Sequence, residues 1–259
     1  MVLFPLLIVG SGFIITLVIR HLDQSLLSYF DFVALLIVLG GTLLVAVITL
    51  PWEYRHDVVK VLSLLFKKER PQFDLLMKQA ISVYQTRDLN IKDNHRSLYA
   101  RVLQQGIELL TLNLPVETIK NILGDQISMQ IRRNKRVAYA IKNLAKYPPA
   151  FGLIGTVFGL VNIMKKLAST ADASFLGAEM SIALVATMYG LMVANFLLNP
   201  IGELLLKKSE EEEEYADIAL TAIVLVAQQA SYLEFMEQIS ALVPEHERAN
   251  IQLKWDEVA

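Results

Sequence analysis

Tyr147 to Met164 reads YPPAFGLIGTVFGLVNIM. Two prolines open it and no charged residue interrupts it. An uncharged apolar run of this length is expected to cross a membrane as a helix. Gly152, Gly155 and Gly159 leave room for a neighbouring backbone, which is how helices associate in lipid. Thr156 adds a hydroxyl to an otherwise apolar run.

Downstream, Ile182 to about Leu206 forms a second run of the same kind, IALVATMYGLMVANFLLNPIGELLL. Ala186, Gly190 and Ala194 recur every four residues on one face of it, and Pro200 is expected to kink its far end. Upstream, Phe32 to Leu50 reads FVALLIVLGGTLLVAVITL, with Gly40 and Gly41 marking a close helix contact. Pro51 and Trp52 follow, where an interfacial tryptophan belongs. Val2 to Ile19 is uncharged and predicts a further span. A signal peptide is the competing reading, but there is no basic n-region and no small-residue cleavage pattern. The expected fold is an all-α membrane protein of four spans. Residues 1–51 carry spans one and two, 52–146 a water-facing helical segment, 147–206 spans three and four, and 207–259 a helical tail.

Composition agrees with that division. The chain of 259 residues is 54% hydrophobic and 19% charged, shifted from soluble averages towards membrane proteins but leaving much of it for water. Glu53 to Lys146 is helical in pattern, with apolar residues such as Leu98, Val102, Leu103, Ile107 and Leu110 at helical spacing. Lys67 to Pro71 and Asp88 to Asn94 are breaks, and Pro115 marks a helix start. From Val116 a helix is expected to run to about Tyr147, weakened but not ended by Gly124. After Lys207-Lys208-Ser209, the run Glu210 to Glu214 reads as a solvated face. A last helix then starts near Ile218 and stops at Pro244. Basic residues cluster after span two and before span three, while the connector between spans one and two holds only Arg20. That places the large segment and both termini on the cytoplasmic side, with Lys165 and Lys166 as the contrary signal.

The net charge of -2 gives no reason to expect nucleic acid, and the absence of cysteine removes disulfides and thiolate chemistry. Histidines 21, 56, 95 and 246 have no metal-ligand spacing, and no nucleophile–base constellation appears, so neither a metal, a cofactor nor an enzyme is expected. None of the four apolar runs carries an acid or base at its centre. An ion path through lipid needs an ionisable group at depth. Either another chain supplies that group, or no ion passes. Thr156 and Thr187 are the hydroxyls available to such a path, with a bond to the preceding turn of their own helix, or to a neighbouring helix, as the alternative. Pro149 and Pro200 stand at the inner ends of the last two spans, where each would bend its helix and free backbone carbonyls. The glycines read equally well as packing within one subunit.

Pro149 to Val161, PAFGLIGTVFGLV, resembles the third-helix motif of the MotA/TolQ/ExbB group. Leu39-Gly-Gly-Thr42 resembles the second-helix motif of MotA and PomA stator subunits, and Ile182 to Gly190 with Asn199 to Gly202 resembles their fourth helix. The order of elements is similar over nearly the whole chain, and four spans favour MotA and PomA over the three-span TolQ and ExbB. The resemblance implies a bacterial inner-membrane protein that conducts H+ or Na+ and turns ion flow into rotation and torque for the flagellar motor. It implies a homo-pentamer around a dimer of a single-span MotB/PomB-like partner, whose aspartate would supply the missing carboxylate. It assigns ion-path positions to Thr156, Thr187 and Ala186, flexing positions to Pro149 and Pro200, and packing to Gly152, Gly155, Gly159 and Gly190. Thr156 is similar to sodium-type members, although TolQ and ExbB keep threonine and use protons, and Ala186 replaces a threonine of PomA. The balance leans slightly to Na+.

The family's contact with a FliG-like cytoplasmic rotor protein uses a basic residue followed by glutamates. Gln85 to Arg101 reads QTRDLNIKDNHRSLYAR, so Arg87, Lys92, Asp93 and Arg96 stand at the corresponding place while the glutamates are missing. A solvated loop is the other reading. Two alternatives to a flagellar stator follow. One is a TolQ/ExbB-like energiser of an outer-membrane or other force-driven system, and the other a passive membrane scaffold.

Overall fold

The computed structural model describes residues 30–49, 73–86, 97–169 and 176–243. The expected first span and the segment carrying Arg87, Lys92, Asp93 and Arg96 lie outside these residues. The described residues are helical throughout, without a strand. In chain order they form α1 (Phe32–Thr49), α2 (Phe73–Thr86), α3 (Leu98–Thr111), α4 (Val116–Leu144), α5 (Tyr147–Ser169) and α6 (Leu176–Met192). A π-helical segment (Val193–Leu198), α7 (Asn199–Ala227) and α8 (Tyr232–Ala241) complete the set. Three helical stretches are long and apolar enough to cross a membrane, within Phe32–Thr49, Val116–Ala168 and Met180–Ala227.

The chain divides into two compact units, residues 1–49 with 144–198, and residues 50–143 with 199–259. In the first, α1 packs against both α5 and α6, which pair along their length. Its inward stripe is Ala34, Val38, Thr42 and Ala46, one residue per turn and three of them small or hydroxylic. The Thr42 hydroxyl donates to the Val38 carbonyl at 2.6 Å, so burial leaves it satisfied. Gly41 lies directly against the Phe151 ring of α5. Asp31 caps α1 by accepting from the Ala34 N–H at 2.7 Å, and its own N–H donates to the Tyr189 hydroxyl of α6 at 3.3 Å. The opposite faces are apolar and exposed, with Leu43, Ile48, Leu153, Phe158, Leu184 and Phe196 open to the surroundings. Such a surface belongs in lipid or against other chains.

The second unit buries a conventional apolar core built from α2, α3, α4, α7 and α8. Ile119, Leu123, Ile127 and Ile131 form the buried stripe of α4, and Leu76, Leu103, Ile223, Phe235 and Ile239 are almost wholly enclosed. Pro115 precedes α4 and its carbonyl accepts from the Thr118 and Ile119 N–H groups. A φ of 57° at Gln229 turns the chain after α7, and Ser231 caps α8 by accepting from the Glu234 N–H at 3.3 Å. Tyr84 ties α2 to this turn by donating to the Ala230 carbonyl at 2.9 Å.

Several expectations change. The glutamate run does not separate two helices: α7 continues through it from Asn199 to Ala227, and the break falls at Gln228 to Ala230. Nor is the run uniformly solvated, since Glu212 and Glu213 turn towards α4 while Glu210 and Glu214 stay exposed. Pro149 does not bend a continuous helix. α4 ends at Leu144, Ala145 and Lys146 form a turn, and both prolines sit in the first turn of α5, where their missing N–H groups cost nothing. Pro200 is the second residue of α7, directly after the π-helical segment. That wider turn is the accommodation expected where a proline cannot donate to the fourth carbonyl before it.

Candidate functional site

The seam between α5 and α6 is built from glycines. A Cβ on Gly152 would stand 2.8 Å from the Ala186 carbonyl oxygen and 3.0 Å from the Thr187 Cα. One on Gly155 would meet the Ala186 methyl at 2.6 Å. In the other direction, one on Gly190 would meet the Pro148 carbonyl oxygen at 2.5 Å and the Pro149 Cα at 3.0 Å. No side chain fits at these three places without separating the helices. Gly159 is buried further along the same face of α5. The seam thus joins Gly152, Gly155, Ala186, Thr187 and Gly190 with the proline pair.

The expected path residues are placed differently from one another. Ala186 is fully enclosed beneath Gly155. The Thr156 hydroxyl donates to the Leu153 carbonyl of its own helix at 2.6 Å. The Thr187 hydroxyl reaches across the seam to the Gly152 carbonyl at 3.5 Å, the outer limit of a hydrogen bond. Thr187 is half-buried, and because each hydroxyl only donates its proton, both threonine oxygens keep their lone pairs as acceptors. Pro148, rather than Pro149 alone, forms the seam's end: it is buried and offers its carbonyl to Gly190, whereas Pro149 is half-buried and Pro200 exposed. The doublet of prolines was the available signal for it.

The described apolar helices keep the deficit seen in the sequence. Phe32 to Thr49, Tyr147 to Met164 and Ile182 to Gly202 contain no acid. Among the described residues no group of three His, Cys, Asp or Glu side chains could hold a metal ion.

A polar cluster in the second unit was not anticipated. Asn134 continues the apolar stripe of α4, is buried, and donates to the Glu212 carboxylate of α7 at 2.8 Å while accepting from Gln130 at 3.2 Å. Next to it Lys135 pairs with Glu213 at 2.5 Å, and further along Lys142 lies 3.6 Å from Glu203. Burial pushes the Glu212 carboxyl above its ordinary value, against the opposing pull of Arg101, the Asn134 bond and Lys208. Burial and the neighbouring Glu213 charge likewise raise Asp217, and the bond to Glu213 raises Lys135. An asparagine at the next turn of an isoleucine–leucine stripe was the signal in the sequence.

A model of the MotA/TolQ/ExbB proton channel family matches residues 94–218, a span that includes α3 to α6 and more than half of α7. Over that span, a little under half of its length, the chain is similar to that family. Among similar proteins, Motility protein A of Treponema phagedenis is 26% identical over 220 residues, covering 83% of this chain and 84% of that protein. The uncharacterized protein YtxD of Bacillus subtilis is 28% identical over 201 residues, covering 76% and 73%. The fold matches the flagellar MotAB stator complex from Bacillus subtilis with a TM-score of 0.77 at 19% identity, covering 96% of this chain and 98% of that one. The region matched by the MotA/TolQ/ExbB model contains the whole α5–α6 seam.

Proposed function

We propose that the chain is the ion-conducting subunit of a MotA-type flagellar stator. Four spans cross the bacterial inner membrane, two within residues 1–51 and two within 147–206. Both termini and the segment 52–146 lie in the cytoplasm, with 207–259 as a cytoplasmic tail. Five copies surround two copies of a single-span MotB/PomB-like partner, and a cytoplasmic FliG-like rotor protein is driven through Arg87, Lys92, Asp93 and Arg96.

The observation that carries this reading is the seam. Two helices with no acid between Tyr147 and Met164 or between Ile182 and Gly202 are held at backbone distance by Gly152, Gly155 and Gly190, and a weakly bonded hydroxyl, Thr187, stands on the seam. An ion crossing here needs a charge from elsewhere. The partner's carboxylate meets that need beside Thr187 and Thr156, so the path lies between this chain and its partner. Ala186 contributes shape rather than a ligand, and Pro149 and Pro200 mark where the spans meet the cytoplasmic segments. The transported ion is H+ or Na+, with Thr156 favouring Na+.

Gene deletion tests the reading: motility is abolished while growth is unaffected. Unimpaired swimming in a strain with no second stator set would overturn it. The ion follows from rotation speed against external sodium at fixed pH, where a flat response assigns protons. The missing glutamates between Gln85 and Arg101 favour a second reading, a TolQ/ExbB-like energiser of another force-driven system. A co-transcribed single-span partner without a peptidoglycan-binding domain would support that reading.

A further inference from the structure

The pairing of α4 with α7 places a basic and an acidic surface at one level, on opposite sides of the helix pair. Asn134 and Lys135 bond Glu212 and Glu213, which fixes the level. The helices run antiparallel, since Lys142 further along α4 meets Glu203 further back on α7. A helix turns about 100° per residue, so residues two either side of Asn134 point away from α7. These are Arg132 and Arg136, both exposed, with Arg133 exposed beside them. By the same count Glu214, two residues past Glu212, points away from α4, while Glu210 stands on the flank where its charge still reaches Lys135, and both are exposed. Asp217 extends the acidic face and is exposed, against the single cation Lys207.

The basic face also carries two large apolar side chains on an otherwise polar surface, Met129 at 61% exposure and Tyr139 at 55%. Arginine, methionine and tyrosine are the types enriched where proteins meet. In a ring whose axis runs along the helix pair, rotation from one copy to the next preserves height. It therefore brings one side of a copy to the opposite side of its neighbour. We propose that Arg132, Arg133 and Arg136 of each copy dock against Glu210 and Glu214 of the next, with Met129 and Tyr139 closing over the contact. A second copy of this chain is the occupant because it alone accounts for both faces. An anionic lipid surface would be repelled by the exposed glutamates at the same level. The inference rests on the ring assembly proposed above.

The chain has no cysteine, so an engineered pair supplies the only thiols in it. The full chain carrying Arg132→Cys and Glu210→Cys is expressed with its single-span partner, oxidised or treated with a short bismaleimide in native membranes, and run on denaturing gels. Most of the chain is expected in a ladder of multiples, while either single variant stays at monomer mass. Mixing the two single variants is expected to give dimers and nothing larger. A double variant that stays monomeric on the gel, or links only to another protein, while the detergent-extracted complex keeps a multi-copy mass, overturns the docking surface and leaves the ring standing. A complex of single-copy mass overturns both. A second set of variants guards against a local distortion by cysteine. Arg132→Glu with Arg136→Glu is expected to lose most of the assembled complex, and adding Glu210→Arg with Glu214→Arg in the same chain is expected to restore it. Failure of that rescue in a chain that still reaches the membrane also overturns the proposal.

Discussion

Gly190 shows how one hydrogen atom holds the seam. The Pro148 carbonyl occupies the place where any larger side chain would begin. Backbone cannot step aside as a flexible side chain can, and overpacking of this kind costs about 1–3 kcal/mol. Gly190→Val is expected to abolish swimming while the protein still reaches the membrane, measured by immunoblot beside motility. Gly40→Ala is the contrasting change, since nothing lies within 4 Å of the added atom. It is expected to swim normally. Thr187 raises a different question, whether its oxygen or its shape matters. Thr187→Val keeps the branched shape without the hydroxyl and is expected to reduce stall torque several-fold, whereas Thr187→Ser keeps the hydroxyl and is expected to retain most of it. Equal loss in both variants would make the methyl, and hence packing, the functional group. Glu212 makes a third case at this scale. Burial raises its pKa, so the folded chain holds the proton more tightly than the unfolded chain does. Its favourable contribution is complete below the ordinary carboxylate range and is lost as pH rises through the raised value. Glu212→Gln mimics the protonated form and keeps an acceptor for Asn134. The variant is expected to unfold at a higher temperature than the natural chain near neutrality, with the gap closing in mild acid. A gap that widens towards acid would mean that Arg101 holds the carboxylate charged.

Among the elements, α4 makes the clearest case for what the sequence carries. Its stripe Ile119, Leu123, Ile127, Ile131 has helical period, and Pro115 marks its start. Gly124 interrupts neither the pattern nor the helix, and a Cβ there would meet nothing within 4 Å. Gly124→Ala is therefore expected to stabilise the second unit by up to about 1 kcal/mol, read as a rise in its unfolding midpoint. The apolar runs through α1, α5 and α6 were equally legible, because uncharged runs of about span length allow few alternatives. What could not be read was anything decided by a second helix. Five successive glutamates look like a solvated break until a basic and amidic partner, Asn134 with Lys135, takes two of them. Ala186 and Thr187 are neighbours in sequence, yet one is sealed beneath Gly155 and the other reaches a carbonyl across the seam. The π-helical turn before Pro200 has no periodicity signal, since it records how a continuing helix absorbs one missing N–H. Helix identity was local information, whereas the site depends on contacts between residues about 35 apart, such as Gly152 with Thr187.

For the whole molecule, the contrast between the units defines how it exists. The second unit covers its apolar residues with its own helices, as any water-facing domain does. The first presents Leu153, Phe158, Leu184 and Phe196 outward and keeps its small residues for the seam. That is the reverse of a soluble protein, and it suits a subunit whose neighbours are lipid and other chains. The same economy bears on how the protein is made. Two prolines, three glycines and a threonine leave α5 with the weakest claim on the bilayer of the three apolar stretches. Its small residues serve α6, and α6 arrives only after the ribosome has moved on by more than twenty residues. The two helices are then best understood as a hairpin that partitions into lipid together, the second rescuing the first. A chain cut after Ser169 and fused there to a glycosylation or protease tag is expected to leave α5 incompletely inserted, and the same fusion placed after Met192 is expected to complete insertion. The glycines that let the helices touch would thereby make translation of α6 the committing step of biogenesis.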